Sequence, residues 1–203
     1  MELLKLEEIQ EQLQKKYGES AQKSPLHFGA FIPGAAPMGQ AEQVDAVSVE
    51  LSGRPLPENF RNILKIWDFG NLILAGFRFA VGGNYANAVS KMNKEVGSEW
   101  WADREIHERP SNLLMVAQSD PYILLLDLNN GAILAFTSTI GSEDARIVAY
   151  DINQLVRALG SVELLSHQAQ NIELFTLNLT QSLGTGVFDE FWIDQIDHWA
   201  QFS

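Results

Sequence analysis

Four histidines, His27, His107, His167 and His198, are the side chains best suited to proton transfer or metal binding in this chain of 203 residues, which has no cysteine. Both chemistries need such groups at fixed spacing. Glu105-Ile106-His107-Glu108 has the composition of a zinc-hydrolase helix. That motif, H-E-x-x-H, requires a second histidine one turn on, and the chain has Ser111 there, after Pro110. Asp194, Asp197 and His198 fall at i, i+3 and i+4 and share one face of a helix. That set reads as the solvated side of an amphipathic C-terminal helix before it reads as a cation site. No serine sits in a G-x-S-x-G elbow. Gly82-Gly83-Asn84 and Gly184-Thr185-Gly186 lack the full glycine pattern and the lysine of a phosphate loop, and read as turns. The expectation is no catalytic site, no metal and no cofactor. The alternative is a metal-dependent hydrolase whose site is assembled from dispersed acids and histidines.

Charge narrows the classes further. The formal net charge is −12, which opposes nucleic-acid binding, because that needs a cationic footprint to displace counterions. From residue 151 onward Arg157 is the sole basic residue against seven acidic ones. The acidity serves solubility, or steers the chain toward a basic partner. No apolar run reaches the ~20 residues of a spanning helix, and Met1-Glu2-Leu3-Leu4-Lys5 lacks the pattern of a secretory signal. A protein partner, no membrane and a cytoplasmic home are expected.

Any binding residues must be positioned by the elements that periodicity predicts. Leu6, Ile9, Leu13 and Tyr17 mark a helix over 3–17 that Gly18 stops. Residues 24–39, rich in Pro and Gly, form an ordered loop, and 41–51 a short helix ahead of Gly53. Leu56-Pro57-Glu58 opens a helix whose stripe is Phe60, Ile63, Leu64 and Trp67, with Gly70 as its end. Leu72–Leu74 and Phe77–Phe79 are short extended pieces around Gly76. Tyr85, Ala88, Val89, Met92 and Val96 predict a helix over 85–97, followed by a turn at Trp100-Trp101. That turn buries one ring and leaves the other partly exposed.

Three strand candidates follow: Leu113–Gln118, Tyr122–Leu128 and Ala132–Thr137. The second is apolar almost throughout, as a strand covered on both faces would be. Asn130-Gly131 reads as a tight hairpin turn, and Arg146–Tyr150 as an edge strand. Asp151 with Gln154 caps a helix with the stripe Ile152, Leu155, Val156 and Leu159, stopped by Gly160. Ile172–Leu183 is read as helical although it fits neither period cleanly. Phe188–Phe202 is a helix burying Phe188, Trp192, Ile196 and Trp199.

The order of these segments resembles the SUKH superfamily, the Smi/Knr-like proteins, in its YrhA-like bacterial branch. Leu56-Pro57-Glu58-Asn59-Phe60-Arg61-Asn62-Ile63-Leu64-Lys65 is similar to the "LP-x-x-Y/F-x-x-F/L-L" helix that opens that core. Phe69-Gly70-Asn71-Leu72-Ile73-Leu74, the tryptophan region Ser98–Ala102 and the hairpin from Leu114 to Gly131 follow in the family's order. Ile147–Leu159 is similar to its closing strand and capped helix. The resemblance spans about residues 3–160. It implies a SUKH-like core domain over 1–160, with the 24–39 loop as an insertion and 161–203 as a C-terminal helical extension packed on it. The implied fold is α+β, a mostly antiparallel sheet with helices around it. The implied function is that of an immunity protein, which neutralises a cognate polymorphic toxin, often a nuclease, by stoichiometric binding. An endogenous regulatory or scaffold adaptor on the same fold is the alternative.

For such a role the candidate partner-binding residues lie in loops beside the expected sheet. They are Trp101, Asp103, Glu105 and Glu108 after the 85–97 helix, Asp120 between strands, and Glu143 and Asp144 after the hairpin. The acids would draw in a basic surface and Trp101 would anchor it.

Overall fold

A computed structural model describes residues 2–25, 29–80, 83–94, 100–101, 109–137, 144–169 and 171–201. Among them the fold is α+β. Six strands form one antiparallel sheet in chain order: β1 (Leu72–Leu74), β2 (Phe77–Ala80), β3 (Leu113–Gln118), β4 (Tyr122–Asp127), β5 (Ile133–Thr137) and β6 (Arg146–Ala149). Its centre is β4, whose near-continuous apolar run has the expected cause. Leu124 and Leu126 face the main core, while Leu125 points to the other side of the sheet and packs with Trp100, Met115 and Phe136.

The two tight connections of the sheet differ. Ala75 and Gly76 join β1 to β2 with φ of 46° and 78°, the two positive angles of a hairpin turn whose twist suits its strands. The β4–β5 turn is wider than Asn130-Gly131 predicted. Leu128, Asn129 and Asn130 are turn residues, Gly131 alone takes a positive φ (83°), and Gly131 N–H donates to Asp127 O at 2.8 Å. Side chains of the turn, one Asp and one Asn, explain the difference. Asp127 and Asn130 carboxyl and amide oxygens accept from Asn129 and Ala132 N–H, fixing the longer loop.

Seven helices are described: α1 (Leu6–Lys23), α2 (Gln40–Ser52), α3 (Glu58–Leu64), α4 (Tyr85–Lys94), α5 (Ile152–Leu165), α6 (Ile172–Leu183) and α7 (Asp189–Gln201). Three predicted glycine stops fail. Gly18 is carried inside α1, which runs on to Lys23. Gly160 is carried inside α5, where its bare Cα admits Ile9 of α1. Gly70 stops nothing, because α3 has already ended at Leu64; Trp67 lies beyond it, bridged to Ala35, though the stripe Phe60, Ile63, Leu64 and Trp67 is buried as expected. Gly53 does end α2, with φ 67° and its N–H on Val49 O.

Helix α5 is the axis of the helical layer. It is buried on nearly every side and packs against α1, α3, α6, α7, β1 and β6. Asp151 caps it by accepting from Gln154 N–H at 2.7 Å. Gln154 reaches back as expected, one residue further, to Tyr150 N–H. Of the apolar residues predicted for the last helix, Trp192 and Ile196 are fully buried, whereas Phe188 and Trp199 are half-buried. The indole of Trp192 donates to Val148 O at 3.0 Å, and Phe188 N–H to Ile147 O at 2.7 Å, so the outer edge of β6 is occupied by the chain's own C-terminal part.

Candidate protein-binding surface

The edge of the sheet beside α7 holds a groove. β5 outlasts β6, its Phe136 and Thr137 having no β6 partner in the ladder, and the gap opens a groove of about 1240 Å³. Its floor is apolar: Leu134, Phe136, Ile147, Val187 and Phe188. Four exposed carboxylates surround it: Asp144 ahead of β6, and Asp189, Glu190 and Asp194 on α7. Arg146 is the one cation in the described lining. Asp189 and Glu190 occupy the first turn of α7, where the positive end of the helix dipole favours them.

Tyr122, at the start of β4, forms one wall. Its hydroxyl donates to Asp194 Oδ2 and its ring meets Phe191 edge-on at 5.0 Å. Burial, then the Asp194 and Glu190 carboxylates, push the Tyr122 phenol well above its ordinary value. On the other side of this pair lies a smaller hollow of about 350 Å³, lined by Ala75, Gly76, Ser119, Asp120, Pro121, Asp197 and His198 as well as by Tyr122 and Asp194. Groove and hollow therefore share one hydrogen-bonded wall.

Of the residues singled out in the sequence, Asp144 lines the groove and Asp120 the hollow, and both are exposed. Trp101 lines neither. It is half-buried, edge-on to Trp100 with ring centroids 5.4 Å apart, in the cluster on the face of the sheet away from the main core, to which Leu134 and Phe136 of the groove floor also belong. Phe136 connects the two places, packing beside Trp100 and also flooring the groove. Asp103, Glu105, Glu108 and Glu143 lie outside the described residues. Asp194 was read, with Asp197 and His198, as part of a solvated helix face, and Asp189 and Glu190 were not singled out. The structure instead sets Asp189, Glu190 and Asp194 across the groove from Asp144.

Asn93 was missed altogether. Its side chain is 2% exposed and stands in for a strand along β3, because β2 pairs with β3 only at Gln118. The amide donates to Met115 O at 2.9 Å, and its oxygen accepts from Met115 N–H at 3.0 Å and from the Trp100 indole at 3.2 Å. Its place four residues after Val89 was the available signal, on a face otherwise apolar.

Among the described residues no three His, Asp or Glu side chains stand close enough to hold a metal ion, and no helix is long and apolar enough to cross a membrane. Comparison with protein-family models, with curated proteins and with solved structures gives no match.

Proposed function

We propose that this chain is a non-catalytic binding protein of SUKH type, an immunity protein that neutralises a cognate toxin by occupying a basic part of its surface. One observation carries the reading: four exposed carboxylates rim an apolar groove in a chain of net charge −12. Such a site suits the long side chains of lysine and arginine, whose stems lie on apolar surface while their heads meet anions. Charge of one sign also speeds encounter with a partner of the other. The order of segments from Leu56 to Leu159, similar to that of the SUKH core, supports the choice of class. Groove, hollow and Trp101 together form the surface put forward for the partner, with Asp120 and Asp144 contributed by loops.

The test is affinity purification of the full chain from its native host, with mass spectrometry of whatever is retained. A secreted or contact-delivered toxin bound one to one, and inactive while bound, is the expected result. Retention of a housekeeping protein would support the adaptor alternative instead. A purified chain that turns over a substrate without any partner would overturn the reading.

A further inference from the structure

Glu163 on α5 is a carboxylic acid in the interior, 1% exposed. One oxygen, Oε2, accepts from the backbone N–H of Ala75 at 2.7 Å. Ala75 is no ordinary partner. It is the first residue of the β1–β2 turn, it has a positive φ of 46° without being glycine, and it is itself buried. That left-handed geometry is disfavoured for a residue with a Cβ and persists where surroundings hold it. The other oxygen, Oε1, is buried and lacks a close hydrogen bond, and the Tyr17 hydroxyl is the side-chain donor that reaches toward the carboxyl.

We propose that Glu163 is a proton-operated latch on the β1–β2 hairpin: protonated it holds the hairpin tip against α5, and ionised it lets the tip loosen. Burial with a poorly partnered oxygen is what disfavours the ionised state. A protonated carboxyl still offers Ala75 an acceptor, and it carries one charge fewer into a site with little water. Its proton is exchanged with solvent when the tip opens. Lys16 and Tyr17 of α1 face the carboxyl. Beyond the hairpin tip, Asp120, Asp194, Asp197 and His198 line the hollow that Ala75 and Gly76 also line. Burial raises the Glu163 carboxyl above the ordinary carboxylate range, against the opposing pull of Ala75 N–H, Tyr17 and Lys16. A carboxyl with a raised value in the closed form contributes its full stability below the ordinary value. It loses that contribution as pH rises through the raised one.

The latch needs no partner, so it stands or falls apart from the proposed function. The experiment is amide hydrogen exchange of the full chain at Ala75 and Gly76 as a function of pH, corrected for intrinsic exchange, in wild type and Glu163→Gln. In the wild type, protection should fall by about tenfold per pH unit between the ordinary and the raised carboxyl values. In Glu163→Gln, which keeps the acceptor and cannot ionise, protection should stay level. A level wild-type profile, or the same slope in the glutamine variant, would overturn the proposal. Carboxyl-carbon NMR titration of Glu163 in the wild type decides the matter even if the variant does not fold. An ordinary midpoint there also overturns it.

Discussion

The backbone of Gly160 lies against the side chain of Ile9, so closely that a Cβ on residue 160 would sit 2.6 Å from Ile9 Cδ1 and 2.9 Å from its Cγ2. This contact seats α1 on α5. Around it Leu4 N–H donates to Ser161 Oγ at 3.0 Å and Arg157 to the carbonyls of Leu3 and Leu4. Gly160→Ala gains about 1 kcal/mol of helix propensity but forces Ile9 aside. Overpacking of this kind costs about 1–3 kcal/mol, and the variant is expected to melt lower. Combining it with Ile9→Ala should lose less than the two single changes added together. A double-mutant cycle by urea denaturation checks this, and strict additivity would show that the contact carries no stress.

Asn93 gives a second expectation. Asn93→Ala removes partners from Met115 N–H, Met115 O and the Trp100 indole at once, all buried. Each such orphan costs on the order of 1–3 kcal/mol. The loss should appear as a lower denaturation midpoint together with a shifted tryptophan emission, since Trp100 loses its hydrogen bond. Wild-type emission in a destabilised variant would place Trp100 under the control of other groups.

High pH should weaken the fold. Tyr17, Tyr85 and Tyr122 all have phenols pushed above the ordinary value, chiefly by burial. A raised value in the folded state means full stability below the unfolded value of about 10 and loss as pH rises beyond it. Ultraviolet absorbance should show these phenols ionising together with the loss of circular dichroism. Ionisation of all the tyrosines well before unfolding would contradict the burial.

Binding kinetics address the groove. With the cognate partner in hand, Asp144→Lys combined with Asp189→Lys should slow association about tenfold or more and flatten its dependence on salt. Asp120→Lys, in the adjoining hollow, should act in the same direction. Trp101→Ala should speed dissociation instead, by about 2 kcal/mol if the ring is an anchor. Surface-immobilised kinetics at several salt concentrations separate these outcomes. Association of the wild type that ignores salt would remove the electrostatic argument.

Periodicity located the strands and most helices because their side chains must choose a face. β4 could be recognised from its near-continuous apolar run and α5 from Ile152, Leu155, Val156 and Leu159. Glycine misled where a helix carries it through. Gly160 admits Ile9 and Gly18 sits inside α1, and nothing in the local sequence separates either from a stop. The acidic groove was only half legible. Asp144 and Asp120 could be placed in loops, but their nearness to Asp189 and Asp194 follows from α7 folding back along β6, a contact between segments far apart in the chain. Glu163 was invisible for a related reason. Its partner Ala75 lies 88 residues away, and an acid on a helix reads as surface until the hairpin is seen to cover it.

The seat of α1 on α5 also fixes an order of events at the ribosome. Ile9 and Leu13 leave the ribosome long before the helix that covers them, which begins at Ile152. At about 5–20 residues per second, that leaves the first helix without this seat for on the order of ten seconds. The sheet, whose neighbours in space are neighbours in sequence, can zip up strand by strand in the meantime. Nascent chains stalled before Ile152 should therefore present α1 to a protease or a chaperone, and chains stalled after Leu165 has left the exit tunnel should not.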